Sequence, residues 1–322
     1  MTGRRPGRGR SVAVAVGIGL LAVVAVFLVV AAFQFNRVRG EIPLEVTSPS
    51  GAATAIPTPI ATAPESYGPT TTPSAPPPSR TADAQILRML DSNYGYRAVR
   101  AACGTTGAMI ERTDDGGVTW TRMDLGTPGP QVIVALRIVD ANQTDSVVGK
   151  AGDCSTSVST SFTAGEFWGD FPERLVEQVY PDPVTSTNVH TGTDTIAVPC
   201  AGVVDAWAEP AGVVALCPDR VVGYTTADAE WTSIATGNVI GAAVDGSTGS
   251  GLVLLARADG CDGLQVSAFD VAASTNEQRA CLEDDLVGDR ATLAVTGAQG
   301  WIWSGTGILK SEDGGVTWAR VG

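Results

Sequence analysis

Thr113-Asp114-Asp115-Gly116-Gly117-Val118-Thr119-Trp120 and, close to the C-terminus, Ser311-Glu312-Asp313-Gly314-Gly315-Val316-Thr317-Trp318 are one eight-residue phrase written twice. Both fit Ser/Thr-x-Asp-x-Gly-x-Thr-Trp, and the residue types describe a tight hairpin turn. The hydroxyl of Thr113 or Ser311 and the carboxylate of Asp115 or Asp313 can accept main-chain N–H bonds inside the turn. Gly117 or Gly315 supplies a position with φ > 0 at no steric cost. Trp120 or Trp318 then covers the turn from the outgoing strand.

The phrase has weaker copies. Ser161-Phe162-Thr163-Ala164-Gly165-Glu166-Phe167-Trp168 keeps the Ser, Gly and Trp of the frame, and Thr225 to Trp231 is a fainter version. Val266 to Leu282 has the strand–turn–strand shape without the Trp. Short Val-rich runs lie between these turns, among them Val132–Leu136, Val147–Gly149, Ile196–Pro199, Val213–Leu216, Leu252–Ala256 and Thr292–Val295. Short strands broken by Gly, Asp, Asn and Pro predict an all-β sandwich, barrel or propeller. A repeat of about 45 residues selects a propeller of about five four-stranded blades. The units are 94–124, 131–171, 194–235, 238–283 and 290–322, with Pro172 to Asp194 a long connection or partial blade. Thr81 followed by Ile86, Leu87 and Leu90 has an N-cap and helical spacing, which predicts one short helix ahead of the first blade.

The turns at 113–120 and 311–318 make the chain resemble the Asp-box, or BNR-repeat, β-propellers, which include sialidases, sortilin-type receptors and photosystem-assembly propellers. It looks most like small, Cys-containing exported propellers of high-GC bacteria. The resemblance implies that the box residues Thr113, Asp115, Gly117, Trp120, Ser311, Asp313, Gly315 and Trp318 are structural and peripheral. It also raises a sialidase-like glycoside hydrolase as the alternative function. Sialidases need an Arg-Ile-Pro-like segment, three arginines converging on a carboxylate, and a Tyr activated by a Glu. Bidentate guanidinium recognition is the physical need behind the arginines. No Arg-Ile-Pro or Arg-Leu-Pro occurs here, Arg97 and Arg100 do not fit the frame, and Tyr224 with Glu230 is a chance-level pair. The only histidine, His190, falls in the polar stretch Thr185–Gly192, read as a solvated loop. No catalytic residue, cofactor or metal ligand is assigned. Asp259-Gly260-Cys261-Asp262-Gly263 and Glu283, Asp284, Asp285 and Asp289 lack the alternating order of an EF-hand and read as turns. Trp207, Trp301 and Trp303 read as strand residues packed in a core or between blades.

The N-terminus supplies an address. Ser11 to Phe33 is apolar and uncharged over 23 residues, long enough at ~1.5 Å per residue to cross a ~30 Å hydrocarbon layer. Arg4, Arg5, Arg8 and Arg10 precede it, so the positive-inside bias leaves 1–10 in the cytoplasm and the rest outside. A cleaved signal peptide is the rival reading, but its apolar core should be shorter. Ten prolines between Glu41 and Thr81 make 34–81 an extended Pro/Ser/Thr/Ala-rich linker, too poor in bulky apolar residues to bury a core. Residues 82–322 form the propeller.

All six cysteines follow that linker, which reads as a disulfide framework in an oxidising compartment. Six cysteines allow 15 connectivities. Pairing sequence neighbours gives Cys103–Cys154, Cys200–Cys217 and Cys261–Cys281, the last two as staples inside one blade. Residues 81–322 carry fourteen Lys and Arg against thirty-one Asp and Glu, a net charge of −17, which argues against nucleic acid as a partner. The chain therefore reads as a single-pass cell-membrane protein holding a binding or scaffolding propeller outside. Its partner is an envelope protein or a glycan.

Overall fold

The computed structural model describes residues 84–322, apart from 102, 106, 127–129, 131, 151, 210, 211, 246–250, 272, 284–290, 306 and 322. The stretch 11–33, read as a transmembrane helix, and the linker 34–81 lie outside the described residues. Among those described, no helix is long and apolar enough to cross a membrane.

The described chain is all-β and forms six blades, not five. Blade 1 is β1 (Gln85–Met89), β2 (Gly95–Val99), β3 (Met109–Thr113) and β4 (Thr121–Arg122). Blade 2 is β5 (Val132–Ile138), β6 (Thr144–Gly149), β7 (Thr156–Ser161) and β8 (Trp168–Asp170), followed by a 3₁₀ turn at Pro172–Glu177. Blade 3 has three strands, β9 (Val179–Pro181), β10 (Asn188–Thr191) and β11 (Asp194–Ala197). Blade 4 is β12 (Asp205–Glu209), β13 (Gly212–Leu216), β14 (Arg220–Thr225) and β15 (Glu230–Thr236). Blade 5 is β16 (Val239–Asp245), β17 (Gly251–Ala256), β18 (Leu264–Asp270) and β19 (Thr275–Leu282). Blade 6 is β20 (Ala291–Thr296), β21 (Gln299–Ser304), β22 (Gly307–Ser311) and β23 (Ala319–Val321).

Every pairing is antiparallel between consecutive strands, so each blade is a meander whose first strand is innermost. Neighbouring sheets meet in chain order, and β20 returns to β1 to close the ring. No strand is shared between the first and last blades.

The extra blade is blade 3, which occupies most of the stretch read as a long connection or partial blade and takes Asp194–Ala197 from the unit read as 194–235. Its strands of three or four residues carry Pro181 and none of the tryptophan-ended turns, so neither the alternation nor the repeat signal marks them. The helix expected before blade 1 is instead β1. Ile86 packs on blade 2 through Ile133 and Leu136, while Leu87 packs on blade 6 through Trp301, Trp303 and Ile308. An inner strand is covered on both faces, so adjacent apolar residues are both buried, and such a run resembles a helix in sequence.

The core is divided among the seams between blades. Tyr180 of blade 3 joins Val132, Val134 and Val147 of blade 2, and Val189 joins Val213 and Ala215 of blade 4. Leu216 meets Val239 and Leu254, and Leu255 and Leu264 meet Leu293 and Ile302. A buried side chain of this size contributes about 1.5–3 kcal/mol, so the seams carry much of the stability.

The three disulfides are Cys103–Cys154, Cys200–Cys217 and Cys261–Cys281. The first ties the β2–β3 loop of blade 1 to the β6–β7 loop of blade 2. Cys261–Cys281 staples blade 5 internally. Cys200–Cys217 does not lie inside one blade as expected, because Cys200 belongs to the connection from blade 3 and Cys217 follows β13.

Candidate functional site

The two eight-residue turns close the β3–β4 and β22–β23 hairpins at the periphery. Thr113 Oγ1 accepts the Gly117 N–H at 2.8 Å, and Ser311 Oγ accepts the Gly315 N–H at 2.9 Å. Asp115 and Asp313 each accept the main-chain N–H of Thr119 or Thr317 at 2.9 Å and the same residue's hydroxyl at 2.6 Å. Those bonds hold the Asp115 carboxyl below its usual range and bring that of Asp313 down to about 2. Gly117 and Gly315 have φ of 98° and 88°. Each Trp indole donates to the carbonyl of its own turn glycine, at 3.0 Å for Trp120 and 2.9 Å for Trp318. The weak copy in blade 2 folds identically, with Ser161 accepting from Gly165, Thr163 replacing the Asp as acceptor for the Phe167 N–H, and Trp168 donating to Gly165. Trp231 departs from this, since its indole reaches Ala197 O in blade 3 at 2.8 Å.

These three turns also latch blades 1, 2 and 6, each to the blade before it, which sequence reasoning missed. The fourth residue of each turn, Gly116, Ala164 or Gly314, offers its carbonyl to the preceding blade. Trp301 Nε1 of blade 6 donates to Gly116 O at 3.0 Å, Arg112 Nη1 of blade 1 to Ala164 O, and Arg279 Nη1 of blade 5 to Gly314 O at 2.8 Å. The donors have no common spacing or type, so no motif announces them.

Three arginines of blade 1 are held by partners within the protein. Arg88 of blade 1 pairs with Asp205 of blade 4, opposite it in the ring, at 2.8 Å, and lies 5.6 Å from the Trp207 ring centroid. Arg100 is buried and donates to the main-chain carbonyls of Ile133, Val134 and Val204. Burial lowers its pKa to about 10, with Asp205 opposing the shift, so it remains charged at neutral pH. Arg97 lies between Trp120 and Trp303, 4.5 and 4.9 Å from their centroids, and binds Glu111 at 2.6 Å. Each of these guanidinium groups is thus committed to the protein itself. Tyr224 pairs across the strands with Trp231, whose ring is 5.2 Å away, and Glu230 pairs instead with Thr225.

His190 is not in a solvated loop but on β10. Its Nε2 meets Asp182 at 2.9 Å, its Nδ1 meets the Thr195 hydroxyl at 3.0 Å, and its ring stacks on Tyr180 at 4.7 Å. On the outer face of blade 2 the buried Asp145 accepts from Thr160, Arg174 and Gln178, anchoring the 3₁₀ turn. Among the described residues no three His, Cys, Asp or Glu side chains are grouped to hold a metal.

A crevice of about 370 Å³ opens between blades 5 and 6, bordered by Val253, Phe269, Asp270, Glu277, Gln299 and Trp318. That lies at the lower end of small-molecule sites, roughly 300–1,000 Å³. It mixes apolar walls with carboxylates and an amide, and the turn at Gly314 and Gly315 forms part of its wall.

No family model matches the chain. No curated protein matches it either. Distant neighbours among solved structures are β-propellers. One is YCF48 bound to D1 peptide, 15% identical over 75% of this chain and 81% of that one, with a TM-score of 0.42. Another is the GH74 enzyme of Niastella koreensis, 15% identical over 75% of this chain and 47% of that one, with a TM-score of 0.43. A third, from a nidogen/laminin complex, is 9% identical over 74% of this chain and 92% of that one, with a TM-score of 0.47.

Proposed function

We propose that this chain is a non-catalytic binding or scaffolding propeller of Asp-box type, held outside the cell membrane by its N-terminal apolar stretch, with an envelope protein or glycan as partner. The observation that carries the non-catalytic part is that Arg88 and Arg100 are held by partners within the protein. Arg88 is spent on Asp205 and Arg100 on three carbonyls, so neither is offered to a substrate carboxylate. Without such positioning a glycosidase loses much of its rate advantage. The disulfide framework and the net charge of −17 support exposure to an oxidising, aqueous space.

The test pairs binding with turnover. The full-length protein in detergent is applied to a glycan array and to isolated cell-envelope material, and is incubated with an activated sialic-acid glycoside. Binding to one of the two without hydrolysis above a buffer control is expected. Hydrolysis that disappears in Tyr224→Phe would overturn the assignment, as would failure to bind either material.

A further inference from the structure

We propose that the crevice between blades 5 and 6 is a peptide-recognition slot for an aromatic side chain flanked by Lys or Arg on a partner protein. The inference rests on the binding-module reading and specifies its ligand.

The argument comes from comparing the three latched seams. Strand pairing aligns blade 6 with blade 5, since Trp301 pairs with Ala294 and Lys310, and Val253 pairs with Ala243 and Ala268. Val253 therefore holds the place of Trp301, and Ala268 the place of Lys310. In blade 1 the same two places are held by Tyr96 and Arg112, which pair with each other. Where blade 6 meets blade 1, Trp301 is fully buried and Lys310 Nζ lies 5.6 Å from its centroid. Where blade 1 meets blade 2, Tyr96 is fully buried against the turn at Gly165, and Arg112 reaches Ala164. Two seams are thus filled by an aromatic ring and a cation, whereas the third has its cation, Arg279, on the Gly314 carbonyl but a Val in place of the ring, beside an open crevice.

Closing that crevice is within the fold's means, because the same chain does it twice. Leaving it open forgoes the burial that a Trp would add, worth several kcal/mol in a packed interior. The space has the chemistry of what is missing. Val253 and Trp318 offer apolar surface to a flat ring, and Gly297 leaves backbone open to close approach, whereas Gly300 is buried beneath the Trp318 ring. Asp270 on the rim stands where an incoming cation would be neutralised, while Glu277 is paired with Arg279 at 3.2 Å. Arg279 is already bonded to Gly314 O and Glu277, so it offers little to an anion. The charge of the whole exported part, −17, draws in a basic segment.

The test uses the full-length protein in detergent and capped Gly-Trp-Lys-Gly, Gly-Trp-Glu-Gly and Gly-Ala-Lys-Gly peptides, followed by ligand-observed NMR. The Trp-Lys peptide is expected to bind saturably, and the other two at least tenfold more weakly. Val253→Trp, which installs the residue of blade 6, should keep or raise the melting temperature and abolish binding. Asp270→Asn with Glu277→Gln, on exposed carboxylates, should keep the fold and erase the preference for Lys over Glu. The inference is overturned by absence of saturable binding, by equal binding of the three peptides, by binding that survives in folded Val253→Trp, or by a Lys preference that survives in the double variant. Preferential binding of a neutral oligosaccharide, displaced by Val253→Trp, would also overturn it. If the peptides fail while the protein still binds envelope material, the slot is lost and the binding-module reading stands.

Discussion

Asp313 shows how an exposed carboxylate can be structural. Its four acceptor sites serve the Thr317 hydroxyl, the Thr317 and Val316 N–H groups and the Ser311 hydroxyl, and these bonds favour the ionised form. With its folded pKa near 2 against 3.8 for a free carboxyl, Asp313 contributes stability above about pH 4 that is lost as pH falls towards 2. Asp115 behaves alike in direction. The melting temperature should therefore drop over that window, and Asp313→Asn, which keeps an acceptor but not the charge, should flatten the decline while lowering stability at neutral pH. A slope unchanged in the variant would mean that other carboxylates govern acid unfolding. The tryptophans give a second residue-level test. Trp120 packs with Leu87, Trp301 and Trp303, and Trp318 with Leu264, Val266 and Leu309, so either Trp→Ala change should cost about 3 kcal/mol in thermal or denaturant unfolding, the lower end for a lost core aromatic. A folded variant with an unchanged midpoint and no binding would make these turns ligand sites instead.

At the scale of elements, the hairpins carrying these turns were legible because their chemistry is local. Hydroxyl, carboxylate, glycine and tryptophan act within eight residues, so the sequence displays every partner, and even Ser161–Trp168 kept enough of them to be placed. The inner strands were less legible. In β1, Ile86 and Leu87 face different blades, a contact that no local period encodes. Blade 3 was illegible because its strands are too short to alternate, and because the Trp that covers its edge, Trp231, belongs to blade 4. The latch donors Trp301, Arg112 and Arg279 were hidden for the same reason. The disulfide from Cys103 to Cys154 joins two such elements across a loop of 51 residues, and chain entropy assigns such a crosslink about 4 kcal/mol. Replacing both cysteines by Ser should lower denaturant stability by about that amount, read from the unfolding midpoint. A loss below about 1 kcal/mol would show that the Ile86–Ile133 packing and the Arg112–Ala164 and Arg100 bonds hold blades 1 and 2 together without it.

At the scale of the whole molecule, the ring is braced across its middle as well as around its rim. Arg88 and Asp205 connect opposite blades, and Arg100 gathers carbonyls from blades 2 and 4. The seams are unequal: a crevice opens between blades 5 and 6, whereas Trp301 and Tyr96 are fully buried in the seams on either side of blade 1. The seam between blades 6 and 1 differs in another respect, because the described chain starts on one side of it and finishes on the other. It is sealed by the Trp301–Gly116 bond and by side-chain packing, with no strand crossing from one blade to the other. Elsewhere a connection as short as Gly237 and Asn238 suffices to carry the chain from the rim of one blade to the centre of the next. The position of the chain ends is therefore incidental to the architecture. A circularly permuted gene, opened between blades 3 and 4 and rejoined by a short linker from Val321 to Ala84, encodes the same wheel with its break moved to a different spoke.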